Sequence, residues 1–141
     1  MLVRLLYASR AKVAITDQEM AAILKKSREH NPVEGITGLL CYTDGIFMQM
    51  LEGGRDAINA RYNTIVRDDR HHDVILLSYE EIGERSFSGW SMGQVNMNRL
   101  NPALLLKYSE SAVLDPYSVS GKASLALFNE LVATASVGAQ V

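Results

Sequence analysis

The chain has 141 residues, enough for one domain that buries about two-thirds of the surface its unfolded form exposes. With 48% hydrophobic and 21% charged residues it has a globular composition, and a formal charge of −2 gives no general attraction to nucleic acid or anionic lipid. No apolar run approaches the ~20 residues of a membrane helix, and a single cysteine, Cys41, excludes an intrachain disulfide framework and fits a reducing, cytoplasmic compartment.

The apolar N-terminus lacks a basic lead and soon meets Ser9, Arg10 and Lys12, so residues 2–8 read as a first strand and not as a signal peptide. Thr16 and Glu19 form a capping box at the start of a helix carrying Met20, Ile23, Leu24 and Ser27 at helical spacing. Pro32 disfavours helical geometry at the residue before it, which predicts an end close to Asn31. Residues 36–42 and 46–51 read as a hairpin turned by Asp44-Gly45, after which Gly53-Gly54 breaks the chain. A second helix carries Ile58, Tyr62, Ile65 and Val66, and strands follow over 74–79 and 90–96. Asn101-Pro102 is a good N-cap and first-turn pair for a short third helix. A fourth helix, over 122–135, carries Leu125, Phe128, Leu131 and Val132.

This order predicts an α+β fold: a ferredoxin-like βαββαβ core with a fifth strand, a mixed sheet with two helices on one face, plus two C-terminal helices. The domain reading is a core over 1–97, a helical extension over 98–135 and a flexible tail over 136–141. The C-terminal helices are expected to cover the open face of the sheet or a partner.

Familiar catalytic patterns are missing: there is no Walker loop, no Gly-x-Gly-x-x-Gly and no Gly-x-Ser-x-Gly. His71-His72 reads as a solvated pair near the second helix's C-terminus, where the helix dipole favours it. Cys41 reads as a small core hydrophobe, and Glu80, Glu81 and Glu84 as a solvated acidic edge. These features give no argument for an enzyme. Three polar groups do stand out. Gln49 shares a strand face with Phe47 and Leu51, Tyr7 shares one with Val3 and Leu5, and Asn31 ends the buried stripe of the first helix. Such groups need partners when buried, at a cost of ~1–3 kcal/mol each if left without them. The pattern allows a self-satisfied polar core with a helix C-cap, or a pocket for a planar, hydrogen-bonding ligand.

Five segments resemble the BLUF family, the blue-light sensors that use FAD, and most closely its short stand-alone members of the PixD type. They are Arg-Leu-Leu-Tyr at 4–7, Asn-Pro-x-x-Gly-Ile-Thr-Gly-Leu-Leu-Cys-Tyr at 31–42, Phe-Met-Gln-Met-Leu-Glu-Gly at 47–53, Asp-Asp-Arg-His-His at 68–72 and Phe-Ser-Gly-Trp-Ser-Met at 87–92. The resemblance makes 1–97 a non-covalent FAD-binding core. It implies that Tyr7 gives the excited flavin an electron and a proton, that Gln49 bridges this tyrosine and the ring, and that Asn31 bonds the ring's polar edge. Trp90 and Met92 correspond to a pair on the last strand that exchanges places beside the glutamine. Ser27, His30, Phe47, Leu51, Asp68, Arg70 and His71 correspond to positions near the flavin, with Ile23, Leu24 and Ile65 flanking it. A relative's phosphate-side arginine corresponds here to Thr64, which leaves Arg28, Arg67 or Arg70 to supply the charge. No effector domain follows residue 135, so output is expected to pass to a separate protein, response-regulator-like or a cyclic-di-GMP phosphodiesterase. Self-association is expected from the apolar face of the last helix. The rival classes are a flavin-dependent enzyme and a ferredoxin-like regulatory domain that binds a small ligand.

Overall fold

The computed structural model describes residues 1–97, 100–133 and 137–138. The elements are β1 (Leu2–Ala11), α1 (Asp17–Glu34), β2 (Thr37–Thr43), β3 (Ile46–Gly54), α2 (Arg55–Arg67), β4 (His71–Ile82), β5 (Gly93–Val95), α3 (Pro102–Tyr108), α4 (Gly121–Ala133) and β6 (Val137–Gly138). The sheet order is β4-β1-β3-β2-β5-β6, with β5 parallel to β2 and the other pairs antiparallel. The core is the expected βαββαβ unit, and β1 and β3 lie at its centre.

Both faces of the sheet are covered, which explains why the central strands read as nearly continuous apolar runs. Val3, Leu5, Tyr7, Leu40, Phe47 and Leu51 point to the face under α1 and α2, where Met20, Leu24 and Ile58 meet them. Leu6, Ala8, Leu39, Cys41, Met48 and Met50 point to the opposite face, against Leu105, Leu127, Phe128 and Leu131 of the C-terminal helices. Phe128 is fully buried, a burial worth about 1.5–3 kcal/mol. The apolar face of α4 is thus taken up by the sheet, so it no longer argues for self-association.

Local chemistry accounts for most boundaries. Asp44 and Gly45, with φ of 51° and 77°, make the two left-handed positions that a tight hairpin needs. Thr16 Oγ1 accepts the Glu19 amide at 3.1 Å, while the Glu19 carboxylate accepts from the Thr16 hydroxyl and does not reach back to an amide. Asn101 caps α3 through the Ala103 amide (3.0 Å). Pro32 does not end α1, which runs one turn further to Glu34. The stop is Gly35, at φ 70°: its amide donates to Pro32 O and the Ile36 amide to Asn31 O, closing a Schellman motif.

Three other expectations change. The strand predicted over 90–96 shrinks to Gly93–Val95, so Trp90 and Met92 lie in the loop that feeds it. His71 and His72 open β4 and are not at a helix end; strand alternation turns His71 inward and leaves His72 exposed beside Asp73. In the tail predicted to be flexible, Val137 and Gly138 pair with Val95 and Gln94 of β5. The rest of that tail, the helix end expected at 134–135 and the Val132 side chain lie outside the described residues.

The acidic stretch is solvated as expected, but two of its carboxylates are ion-paired. Glu80 pairs with Arg4 and Glu81 with Arg55, while exposed Glu84 has no partner among the described residues. A carboxylate that passed unnoticed has a larger role. Glu52 is fully buried and accepts from Arg4 Nε (2.8 Å) and from the amides of Ser86 (3.0 Å) and Phe87 (3.3 Å). Arg85 donates to Gly35 O (2.6 Å) and Thr37 Oγ1 (3.1 Å). Together these bonds staple residues 85–87 to the sheet, just ahead of Trp90.

Candidate functional site: a cleft between the first two helices

Tyr7 and Gln49 stand directly opposite each other in the β1–β3 register, at the middle of the sheet. The Tyr7 hydroxyl donates to Gln49 Oε1 at 2.6 Å, and Gln49 Nε2 donates to the Met92 sulfur at 3.5 Å. Both polar side chains are buried, Tyr7 at 5% exposure and Gln49 at 8%. The glutamine therefore has its acceptor and one donor engaged by residues from two different segments.

Above this pair lies a cleft of about 390 Å³ between α1 and α2, within the size range of small-ligand pockets. Of the residues selected from sequence, Tyr7, Ile23, Ser27, His30, Asn31, Phe47, Gln49, Leu51, Ile65, Asp68, Arg70 and His71 line it. Leu24, Arg28, Trp90 and Met92 do not. Leu24 shares a core-facing stripe of α1 with Met20 and Asn31. Arg28 Nε donates to Met92 O (3.1 Å), and Trp90 lies on the far face of the sheet, stacked on Phe87 with ring centroids 6.1 Å apart. Arg67, considered for the phosphate side, is also outside the lining.

The lining has members that the sequence reading passed over: Ile15, Glu19, Ala22, Lys26, Leu40 and Arg61. Helical spacing could have found most of them. Glu19, Ala22, Ile23, Lys26, Ser27 and His30 form one stripe of α1, and Arg61, Thr64 and Ile65 one stripe of α2.

The loop before β5 is held at three successive carbonyls. Trp90 O accepts the Gly38 amide (3.1 Å), Ser91 O accepts Asn31 Nδ2 (2.7 Å), and Met92 O accepts Arg28 Nε (3.1 Å). Asn31 is thus both a cleft residue and a strap on the loop. His71 is fixed as well. Its Nε2–H donates to Ile65 O (2.6 Å), and its Nδ1 shares a hydrogen bond with the Ser9 hydroxyl (2.7 Å). At the cleft mouth, the Arg70 guanidinium hydrogen-bonded to Asp68 lowers that carboxyl to about 2.

Burial, and after it the neighbouring Tyr62 and Asp68, pushes the Tyr7 phenol above its ordinary value of about 10. The folded protein therefore keeps this proton after the unfolded chain has lost it. The associated stability is complete below the unfolded pKa of about 10 and falls as pH rises beyond it. Thermal midpoints measured from about pH 9 to 11 should decline more steeply for the unaltered protein than for Tyr7→Phe. A constant gap between the two would contradict this.

The cleft fits a flavin. Its wall combines apolar Ile23, Phe47, Leu51 and Ile65 with polar tips at Tyr7, Asn31 and Gln49. Arg61 is ion-paired to Glu34 (2.8 Å), yet its buried Nε has no hydrogen-bond partner among the described residues, and a phosphate oxygen at the cleft would supply one. Lys26 adds a second cation on the facing helix.

Comparison with known proteins agrees. The model of a family described as "BLUF: Sensors of blue-light using FAD" matches residues 2–93. A photoactivated adenylate cyclase subunit beta of Euglena longa is 35% identical over 92 residues, which is 64% of this chain and 11% of that subunit. Among solved structures, the photo-activated state of BlsA superposes with a TM-score of 0.81 at 33% identity, covering 94% of this chain and 95% of that one. The dark-state structure of BlrB, a BLUF protein, superposes with a TM-score of 0.79 at 32% identity, covering 95% and 96%. With Tyr7 and Gln49 bonded beneath a flavin-sized cleft, the chain belongs to the BLUF family: it is a sensor of blue light that uses FAD.

Proposed function

We propose that this photoreceptor senses light through the Tyr7–Gln49–Met92 chain of bonds and signals through the loop before β5 to a separate effector protein. The observation that carries this reading is the 2.6 Å bond from Tyr7 to Gln49, continued by the 3.5 Å contact from Gln49 to Met92. FAD, when bound, supplies a ring that absorbs blue light and in its excited state accepts an electron and a proton.

Tyr7 suits the donor role because a buried phenol holds its proton until it can release proton and electron together. Gln49 carries a donor and an acceptor on one planar amide. Turning or tautomerising that amide exchanges the bonds it offers while the backbone stays still. Ile23, Ser27, His30, Asn31, Phe47, Leu51, Ile65 and His71 bound the ring side of the cleft, and Leu24 supports Ile23 from the core. Lys26, Arg61 and Arg70 serve the phosphate side in place of the arginine that Thr64 does not provide, with Asp68 holding Arg70 in position. Arg28 and Met92 act on the loop.

Output follows from what Met92 and Trp90 touch. Met92 reports on Gln49, while Trp90 packs with Phe87 in the cluster that includes Leu105, Leu127, Phe128 and Leu131. A rearranged bond worth ~1–3 kcal/mol is enough for a 5–150-fold change in partner affinity. The effector is a second cytoplasmic protein, response-regulator-like or a cyclic-di-GMP phosphodiesterase, and the sensor self-associates. Exposed Leu76 and Tyr79 on the edge strand β4 support self-association. Charge gives no support for nucleic acid, and none of the described helices is long and apolar enough to cross a membrane.

The test is an absorption spectrum of the purified protein in darkness and after brief blue light. A flavin spectrum that shifts slightly to the red and reverts in darkness is the expected result. A colourless protein that takes up no added FAD, or a flavin that bleaches without shifting, would count against the reading.

A further inference from the structure

Gly38 lies in β2, one strand away from Gln49, and is not part of the cleft lining. A Cβ at this position would lie 2.6 Å from Met92 Cε, 3.1 Å from Leu51 Cδ2 and 3.1 Å from Met50 O. The first distance is far inside van der Waals contact, so the Met92 methyl group occupies the volume that any other residue's Cβ would fill. Nothing about the backbone demands glycine here, because Gly38 is not among the positive-φ positions. The requirement is for space alone.

The same residue also holds the loop. Its amide donates to Trp90 O at 3.1 Å, and the next residue, Leu39, pairs with Gly93 in the parallel β2–β5 ladder. Gly38 therefore fixes the backbone on one side of Met92 and leaves a seat for the end of its side chain. With the methyl in that seat, the sulfur lies 3.5 Å from Gln49 Nε2. Met92 is fully buried in this arrangement.

We propose that Gly38 is a positioning residue of the light response: the missing side chain at 38 makes the seat that puts the Met92 sulfur against Gln49. The proposal rests on the light-sensing reading above but makes its own demand, that the effect of a side chain at 38 depends on Met92. A methionine has three rotatable bonds, so a new methyl group at 38 displaces the thioether more readily than it displaces the strand.

The test is a double-mutant cycle with Gly38→Ala and Met92→Ala, using the full chain with flavin bound. In the otherwise unaltered protein, Gly38→Ala is expected to move the dark flavin absorption maximum and change the dark-recovery lifetime by about tenfold, the kinetic equivalent of the coupling that touching side chains show. Within the Met92→Ala background it should leave the maximum in place and change the lifetime by less than about twofold. Equal effects in both backgrounds, or none in either, would overturn the proposal. If Gly38→Ala alone fails to hold flavin, recovery of flavin binding in the double variant supports the seat. Failure there too would put the clash at Met50 and Leu51 and refute it. Absence of any light response in the unaltered protein would be a failure of the light-sensing reading. The seat would then be judged by thermal unfolding, where Gly38→Ala must destabilise the protein more with Met92 present than with Met92→Ala.

Discussion

Gln49→Leu is expected to fold and bind flavin yet give no light-induced shift of the absorption bands. Leucine matches the apolar surroundings of Phe47 and Leu51, so the strand is retained, but both of the bonds that can be exchanged are removed. The Tyr7 hydroxyl loses its acceptor, and a buried hydroxyl without a partner costs ~1–3 kcal/mol, too little to unfold a domain of this size. Tyr7→Phe should fail in the complementary way: its glutamine remains, but no phenol supplies the electron and proton. A reversible difference spectrum of the usual amplitude in Gln49→Leu would remove the glutamine from the mechanism. The same result in Tyr7→Phe would pass the donor role to another ring, with Tyr62 closest at hand, its centroid 5.8 Å from that of Tyr7.

The second large effect concerns stability. Between Leu6 and Tyr7 the β1–β4 register slips, leaving Leu77 of β4 without an opposite residue in β1. A Cβ on Gly121, the first residue of α4, would sit 1.9 Å from the Leu77 carbonyl oxygen and 2.9 Å from its carbon. Both obstacles are backbone, so neither can rotate away. Gly121→Ala should lift the start of α4 from the sheet and loosen the packing of Leu127 and Phe128. We expect a loss of roughly 2–4 kcal/mol, which for this length is a fall in Tm of roughly 10 °C. Gly83→Ala is the control, because a Cβ there meets nothing within 4 Å. Equal melting of the two variants would show that α4 does not depend on this close approach.

How much of this was legible differs from element to element. The hairpin, the Thr16 and Asn101 caps and the βαββαβ order were written in local patterns, because turns and caps are satisfied by neighbours in the chain. The end of α1 was misread because Pro32 was given more weight than Gly35, although a left-handed glycine is the stronger stop when Pro stands in a helix's last turn. The loop holding Trp90 and Met92 was misread as strand, since its carbonyls are claimed by Asn31, Arg28 and Gly38, all more than fifty positions away. No window of sequence contains that information. Tyr7, Gln49 and Asn31 stood out as polar groups on apolar faces, whereas Lys26 and Arg61 were passed over, because a charge on a helix carries no local mark of the cleft it lines. The burial of Glu52 was hidden in the same way, because its partners come from β1 and from the loop at 86–87.

The position of the Tyr7–Gln49 pair has a consequence for how the molecule opens. Strands β1 and β3 are paired on both sides along most of their length, so their amides should exchange with solvent mainly through global unfolding. β5 holds to β2 by only two residue pairs and has three residues in all. The photochemical pair is thus embedded in the part of the sheet expected to open last, while the segment that reads it is joined to the sheet by far fewer backbone pairs and is expected to open earlier. Deuterium would distinguish the two halves of the device by rate alone: a slow chromophore floor, and beside it a fast strip whose protection rises or falls with illumination.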